Sequence, residues 1–252
     1  MVRALLLVTL AGCGRLGFGE TSPPSDGATD ASADAPGDTT LSCGHTFCDD
    51  FDRNTPLDTG WDRLDNTGAA ILELDGAPPE GFFTVELPAP ALEGGFLVKN
   101  FAPPVANGSV RIAFDIEYSS ADPSLAEIDM IQLQWDTPPA PCTSFGFFLV
   151  RDGAGTGPFN LQETYGGCGG NENTALEDLD NLPRRRIEMI VTLGAIGGAQ
   201  VRVEIDGVPF VDKVVSHAVP PSPLTLRLGG GAVRDMSAPW KISYDNLEVD
   251  VQ

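Results

Sequence analysis

Two carboxylates, Glu127 and Asp129, stand two residues apart in the segment "SLAEIDMIQLQW", Ser124 to Trp135. Side chains two apart on a strand share a face, so the pair would be presented side by side. Neighbouring carboxyls suit work on a glycosidic bond, where one attacks or activates water while the other handles the proton. Two amides follow, Gln132 and Gln134, which suit hydrogen bonds to sugar hydroxyls. The apolar spacing says how these four are arranged. Ile128 and Met130 occupy even positions, whereas Ile131, Leu133 and Trp135 occupy odd ones. A single β-bulge near Met130–Ile131 reconciles the two sets. It keeps all five in the core and puts Glu127, Asp129, Gln132 and Gln134 together on the other face.

The remaining chemistry-bearing residues are scattered. His45 and His217 are the two histidines of the chain, far apart in sequence, and no Ser/His/Asp set is suggested by spacing. No CxxC pair accompanies them, so a zinc site is not indicated. Arg184, Arg185 and Arg186 could grip a carboxylate or phosphate, but a triple charge before a strand reads as a solvated edge that discourages aggregation. "LRLGGGAVRD" carries a glycine run without the Lys-Ser/Thr and following helix of a phosphate loop, and is expected as a hairpin or a rim loop.

The elements that position these residues are strands. In "SVRIAFDIEY", Val110, Ile112, Phe114, Ile116 and Tyr118 fall on one face, with Arg111, Asp115 and Glu117 on the other. "RRIEMIVTL" repeats the pattern with Ile187, Met189, Val191 and Leu193 inward. In "AQVRVEIDGVPFVDK", Asp206-Gly207 predicts a type I′ hairpin turn. "PLTLRLGG" and "WKISYDNLEVDV" read as the closing strands. No segment from Cys43 onward has helical periodicity. About a dozen strands in one domain imply an all-β, two-sheet antiparallel sandwich, since an open sheet of that width would leave an apolar face in water.

Composition narrows the setting. The 252-residue chain is 42% hydrophobic, enough for one sizeable core, and has a formal net charge of -21. Such a surface repels nucleic acid and anionic headgroups. At the N-terminus, Arg3 precedes an apolar run from Ala4 to Leu10, the pattern of an export signal too short to cross a bilayer. Its end, Leu10-Ala11-Gly12-Cys13, resembles the bacterial lipobox. That resemblance implies a signal peptide over residues 1–12, lipidation of Cys13 and, with Gly14 next, an outer-membrane location. Residues 13–42 are then the lipidated cysteine and an acidic linker, whose stretch from Glu20 to Thr40 is rich in Pro, Ser and Ala and reads as a solvated, disordered tether. Four cysteines remain, Cys43, Cys48, Cys142 and Cys168. Three pairings are possible, and proximity favours Cys43–Cys48 with Cys142–Cys168.

Three motifs carry a family resemblance: "FCDDFDRNTPLDTGWDRL", "VRVEIDGVPFVD" and "YDNLEVDV". Together they resemble the concanavalin A-like lectin/glucanase superfamily, which includes laminin-G-like domains and family-16 glucanases. The likeness runs over residues 43–252 and implies a jelly roll whose first and last strands are neighbours, with a concave sheet that meets carbohydrate. It also implies a structural Ca²⁺ held by Asp245 with Asp50, helped by Asp49 or Asp52. Alternation puts Asp245 on the side of Leu247 and Val249, and an inward carboxylate needs a cation or hydrogen-bond donors; backbone N–H groups alone are the rival account. The family-16 catalytic signature corresponds to Glu127 through Gln132. Its final acid/base Glu is Gln132 here, and an amide cannot donate the proton that retaining hydrolysis needs. The Trp-rich segment that lines the glucan cleft is replaced by "EYSSADPSL".

The expectation is therefore a lipid-anchored envelope protein with a non-catalytic, lectin-like domain. Its ligand contacts would be Glu127, Asp129, Gln132 and Gln134, its metal ligands Asp50 and Asp245, and it would have no catalytic residues. The partner would be a carbohydrate or an envelope protein. A protein-interaction module and a divergent family-16-like hydrolase are the alternatives.

Overall fold

The computed structural model describes residues 43–252 except 77–79, 90–93, 123–124, 138–139, 153–158, 166–168, 178–181, 195–197, 216, 218, 220–221 and 234–235. Cys13, the linker and the predicted Cys142–Cys168 bridge (through Cys168) therefore lie outside the described residues.

In chain order the strands begin with β1 (Phe47–Asp49), β2 (Arg63–Thr67), β3 (Ile71–Asp75), β4 (Phe82–Leu87) and β5 (Gly94–Phe101). Next come β6 (Ser109–Ser120), β7 (Leu125–Thr137), β8 (Ala140–Asp152), β9 (Phe159–Tyr165) and β10 (Gly170–Glu177). The last are β11 (Leu182–Leu193), β12 (Ala199–Ile205), β13 (Val208–Val215), β14 (Leu224–Ala232) and β15 (Trp240–Val251). No helix occurs among the described residues. They form two antiparallel sheets. One runs β13-β12-β11-β6-β15-β4-β3, with β1 also on β15; the other runs β10-β9-β8-β7-β14-β5-β2. This is the jelly-roll sandwich that the resemblance implies, and its first and last strands are paired through Phe47↔Val249 and Asp49↔Leu247.

Alternation builds the core. Val110, Ile112, Phe114, Ile116 and Tyr118 from β6 meet Ile187, Met189 and Val191 from β11, all buried. Rings interlock between the sheets, with Phe114 5.7 Å from Phe147, which stacks in turn on its sheet neighbour Phe159 at 5.4 Å. The buried Tyr244 hydroxyl of β15 donates across the sandwich to the carbonyl of Gly229 in β14. Asp206 and Gly207 both have positive φ, 51° and 75°, as the predicted hairpin turn requires.

Two bulges set which side chains face out. In β7 the register shifts between Asp129 and Gln132, and Ile128, Met130, Ile131, Leu133 and Trp135 are all buried. Without the bulge, Ile131, Leu133 and Trp135 would face water, at about 1.5–3 kcal/mol for each side chain. Gly146 lies opposite Gln132, where a Cβ would stand 2.8 Å from the Ile131 carbonyl and 3.0 Å from the Gln132 Cγ. In β15 the register shifts between Asp245 and Glu248, with Asn246 at a φ of 48°. Trp240, Ile242 and Tyr244 point inward before this bulge, Leu247 and Val249 after it.

That second bulge corrects the expectation for Asp245. The parity switch puts its carboxylate on the outer face of the eight-stranded sheet, opposite Asp115 rather than beside Leu247. The glycine run is also corrected. "LRLGGGA" is the central strand β14, not a rim loop, with Gly94 to Phe96 of β5 as partners of its glycines.

Candidate functional site

The outer face of the seven-stranded sheet is a polar field laid out by register. Residues directly opposite on paired strands share a face. One row therefore runs Asn173, Gln162, Gly146, Gln132, Arg227, Val98, Arg63. A second runs Asn171, Thr164, Ser144, Gln134, Thr225, Asn100. A third holds Asn160, Phe148 and Asp129, with Glu127 one step beyond. The four polar residues expected from the sequence are thus brought together, half-buried, on this face.

Arg227 is the residue that sequence reasoning passed over. Its Nη1 donates to Gln132 Oε1 at 3.3 Å, and its guanidinium carbon lies 4.1 Å from the centre of the Phe96 ring. The glycine run makes that seat possible, because a Cβ at Gly231 would stand 3.2 Å from the ring. Burial holds the guanidinium below its ordinary pKa, against the charges of Asp129 and Asp65. The clue was available: Leu224, Leu226 and Leu228 alternate inward, which turns Thr225 and Arg227 outward.

Asp129 is the perturbed acid. Burial pushes its pKa from 3.8 up to about 6; the Arg227 charge pulls it back, Glu127 adds to the rise, and a hydrogen bond with Gln132 opposes it. Gln132 thus links the guanidinium to the carboxyl. Arg227, Gln132 and Asp129 form one cationic, one amide and one weakly acidic group in contact, the composition that can hold a carboxylate and move a proton beside it.

The other singled-out residues are placed elsewhere. The His217 ring stacks on Tyr165 at 4.6 Å and on Phe145 at 6.0 Å, and burial lowers its pKa. His45 Nδ1 lies 3.0 Å from the Asp250 carboxylate. Arg184 and Arg186 pair with Asp115, and Arg185 with Asp206 at 2.8 Å. The Asp245 carboxylate is taken by Arg184 and by the N–H of Asn246. Burial raises its pKa, opposed by those same contacts. Asp50 accepts from the Asp52 N–H at 3.2 Å, and Asp52 accepts from Gly81 at 2.6 Å. Asp49 is buried under Trp61, Phe51 and Arg53, all donating to it. Among the described residues no group of three or more His, Cys, Asp or Glu is placed to hold a metal ion. A cavity of about 260 Å³ lined by Cys43, His45, Asp50 and Glu248 lies beside β1 and β15, on the sheet opposite the polar field. The Cys43–Cys48 disulfide is formed as expected.

No protein-family model matches the chain, and no curated protein sequence matches it significantly. Solved structures do share its fold. An endo-β-1,4-glucuronan lyase from the fungus Trichoderma reesei superposes with a TM-score of 0.62 at 10% identity, covering 82% of this chain and 96% of that one. An alginate lyase from Pseudomonas aeruginosa gives a TM-score of 0.48 at 12% identity, over 68% and 83% of the two chains. The alginate lyase Aly36B, bound to an alginate trisaccharide, gives 0.47 at 12%, over 69% and 83%. The likeness establishes the jelly-roll fold. It also weighs against the expectation of a non-catalytic, lectin-like module, because a structure that shares this fold over most of both chains is a glucuronan lyase. The replacement of the family-16 acid/base Glu by Gln132 bears on hydrolysis alone.

Proposed function

We propose that this domain cleaves uronate-containing polysaccharide by β-elimination. The observation that carries the reading is the contact set of Arg227, Gln132 and Asp129 on the polar face, with Asp129 titrating near pH 6. The fold likeness to a glucuronan lyase supports a catalytic role. In this scheme Arg227 and the Gln132 amide hold the uronate carboxylate, which stabilises negative charge developing at C5. The ionised Asp129 takes the C5 proton. The electron pair forms the C4–C5 double bond, the C4–O glycosidic bond breaks, and the departing oxygen recovers a proton from Asp129 on the same side of the ring. A base that titrates near 6 is ionised at neutral pH yet strong enough to accept that proton.

The test is to incubate the full chain with uronate polysaccharides and follow both reducing ends and the ultraviolet absorbance of the unsaturated product. Elimination yields both signals. Reducing ends without that absorbance would replace elimination by hydrolysis at Glu127 and Asp129, and neither signal would refute the catalytic reading. We also propose the envelope setting: Cys13 lipidated after the Ala4–Leu10 run, anchored in the outer membrane, with the linker as its tether. Mass spectrometry of the mature N-terminus checks that assignment.

A further inference from the structure

We infer that the polar face is built for a glycan whose uronate residues stand apart, separated by neutral sugars, rather than for a continuous polyuronate. The inference rests on the lyase reading above and adds the substrate class. A continuous polyuronate presents a carboxylate on every sugar, so a face matched to it repeats cations along the binding direction. Among the described residues this face does not. Arg227 stands at its centre, and Arg63, at the β2 edge, is already bonded to Asp65 at 2.9 and 3.1 Å. On the other side of Gln132, the outward side chains of β8, β9 and β10 include Ser144, Gln162, Thr164, Asn171 and Asn173, beside Phe148 and a buried Asn160, and among the described residues none is a cation. Amides and hydroxyls both donate and accept, which suits sugar hydroxyls rather than carboxylates.

The anions of the face point the same way. Asp129 and Asp65 act on Arg227 and Glu127 acts on Asp129, so a second and third carboxylate on adjacent sugars would meet negative charge. The net charge of -21 adds a long-range potential that opposes a dense polyanion more than a sparsely charged one. One uronate at Arg227, with neutral sugars laid over β8 to β10, satisfies both the local chemistry and the field.

The experiment compares initial rates of unsaturated-end formation by the full chain on two sets of polymers at equal uronate concentration and low ionic strength. One set is glucuronan and alginate; the other is heteropolysaccharides with one uronate per repeat among neutral sugars. The heteropolysaccharides are expected to be cut at least about tenfold faster, the effect of one unfavourable carboxylate contact. Gln162→Lys, which puts a cation on the amide side, should narrow that ratio. Equal or faster cleavage of glucuronan or alginate overturns the inference and leaves the lyase reading intact. Should no polymer yield unsaturated ends, the lyase reading falls, and binding of the same polymers to the Asp129→Asn chain decides the preference. Tighter binding of the continuous polyuronates there overturns the inference by itself.

Discussion

Asp129→Asn should stabilise the protein at neutral pH while abolishing the proposed cleavage. The carboxyl has a folded pKa of about 6 against an ordinary value of 3.8, so folding disfavours its ionised form. The difference corresponds to about 3 kcal/mol, since one pKa unit is about 1.4 kcal/mol. The sign follows from proton counting. Between pH 4 and 6 the folded chain binds more protons at this site than the unfolded chain, so stability falls as pH rises through that window. Above it the full cost persists. Asparagine resembles the protonated acid and never ionises, so its advantage should be near zero at pH 4 and reach about 3 kcal/mol by pH 8. Urea denaturation of the two chains at both pH values measures this, because the other acidic groups titrate alike in both and cancel. A stabilisation of the same size at pH 4 and pH 8, or none at pH 8, would show that burial does not oppose ionisation here and would remove Asp129 as the tuned base.

Cleavage should rise with pH through about 6 as Asp129 ionises, and a kcat profile flat across that range would assign the proton transfer to another group. Arg227→Lys keeps the charge but loses the planar contact with Phe96 and the fixed bond to Gln132, and should lower kcat/KM by roughly 10²-fold with the melting curve little changed. Gly146→Ala forces a Cβ against the Ile131 carbonyl and should cost about 1–3 kcal/mol in thermal or urea denaturation. Reducing Cys43–Cys48, which closes a loop five residues apart, should cost about 2 kcal/mol by loop entropy, read as a shift in denaturation midpoint on adding thiol.

Alternation exposed much of this fold because one face of each strand is dry. β6 and β11 follow from their odd or even apolar positions, and the parity break at Met130–Ile131 announces the β7 bulge and the shared face of Glu127, Asp129, Gln132 and Gln134. The second bulge is marked in the same way, with Trp240, Ile242 and Tyr244 on even positions and Leu247 and Val249 on odd ones, but only if the whole strand is read at once. Projecting back from Leu247 and Val249 alone turns Asp245 inward, and the left-handed Asn246 reverses it. Arg227 was missed although "PLTLRLGG" reads as a strand, because the glycine run beside it, Gly229 to Gly231, reads as a rim loop and hides the pairing with β7. What makes that segment a strand is close approach: a Cβ at Gly229 would collide with the Gly95 carbonyl, and the place of a side chain at Gly231 is filled by Phe96. Glu163 had no local signal either. It points inward beside Phe159 and Leu161 and meets Lys213, from β13, along with Thr174 and Glu172 at the side of the sandwich.

Arg227 and Asp129 sit on β14 and β7, strands flanked on both sides within the seven-stranded sheet, and β14 is further tied to the opposite sheet through Tyr244. Their backbone has no fraying edge, so exposing their amides requires the whole sandwich to open. The polar face is therefore as long-lived as the native state itself, and heating should end the proposed cleavage at the temperature where the domain unfolds rather than earlier.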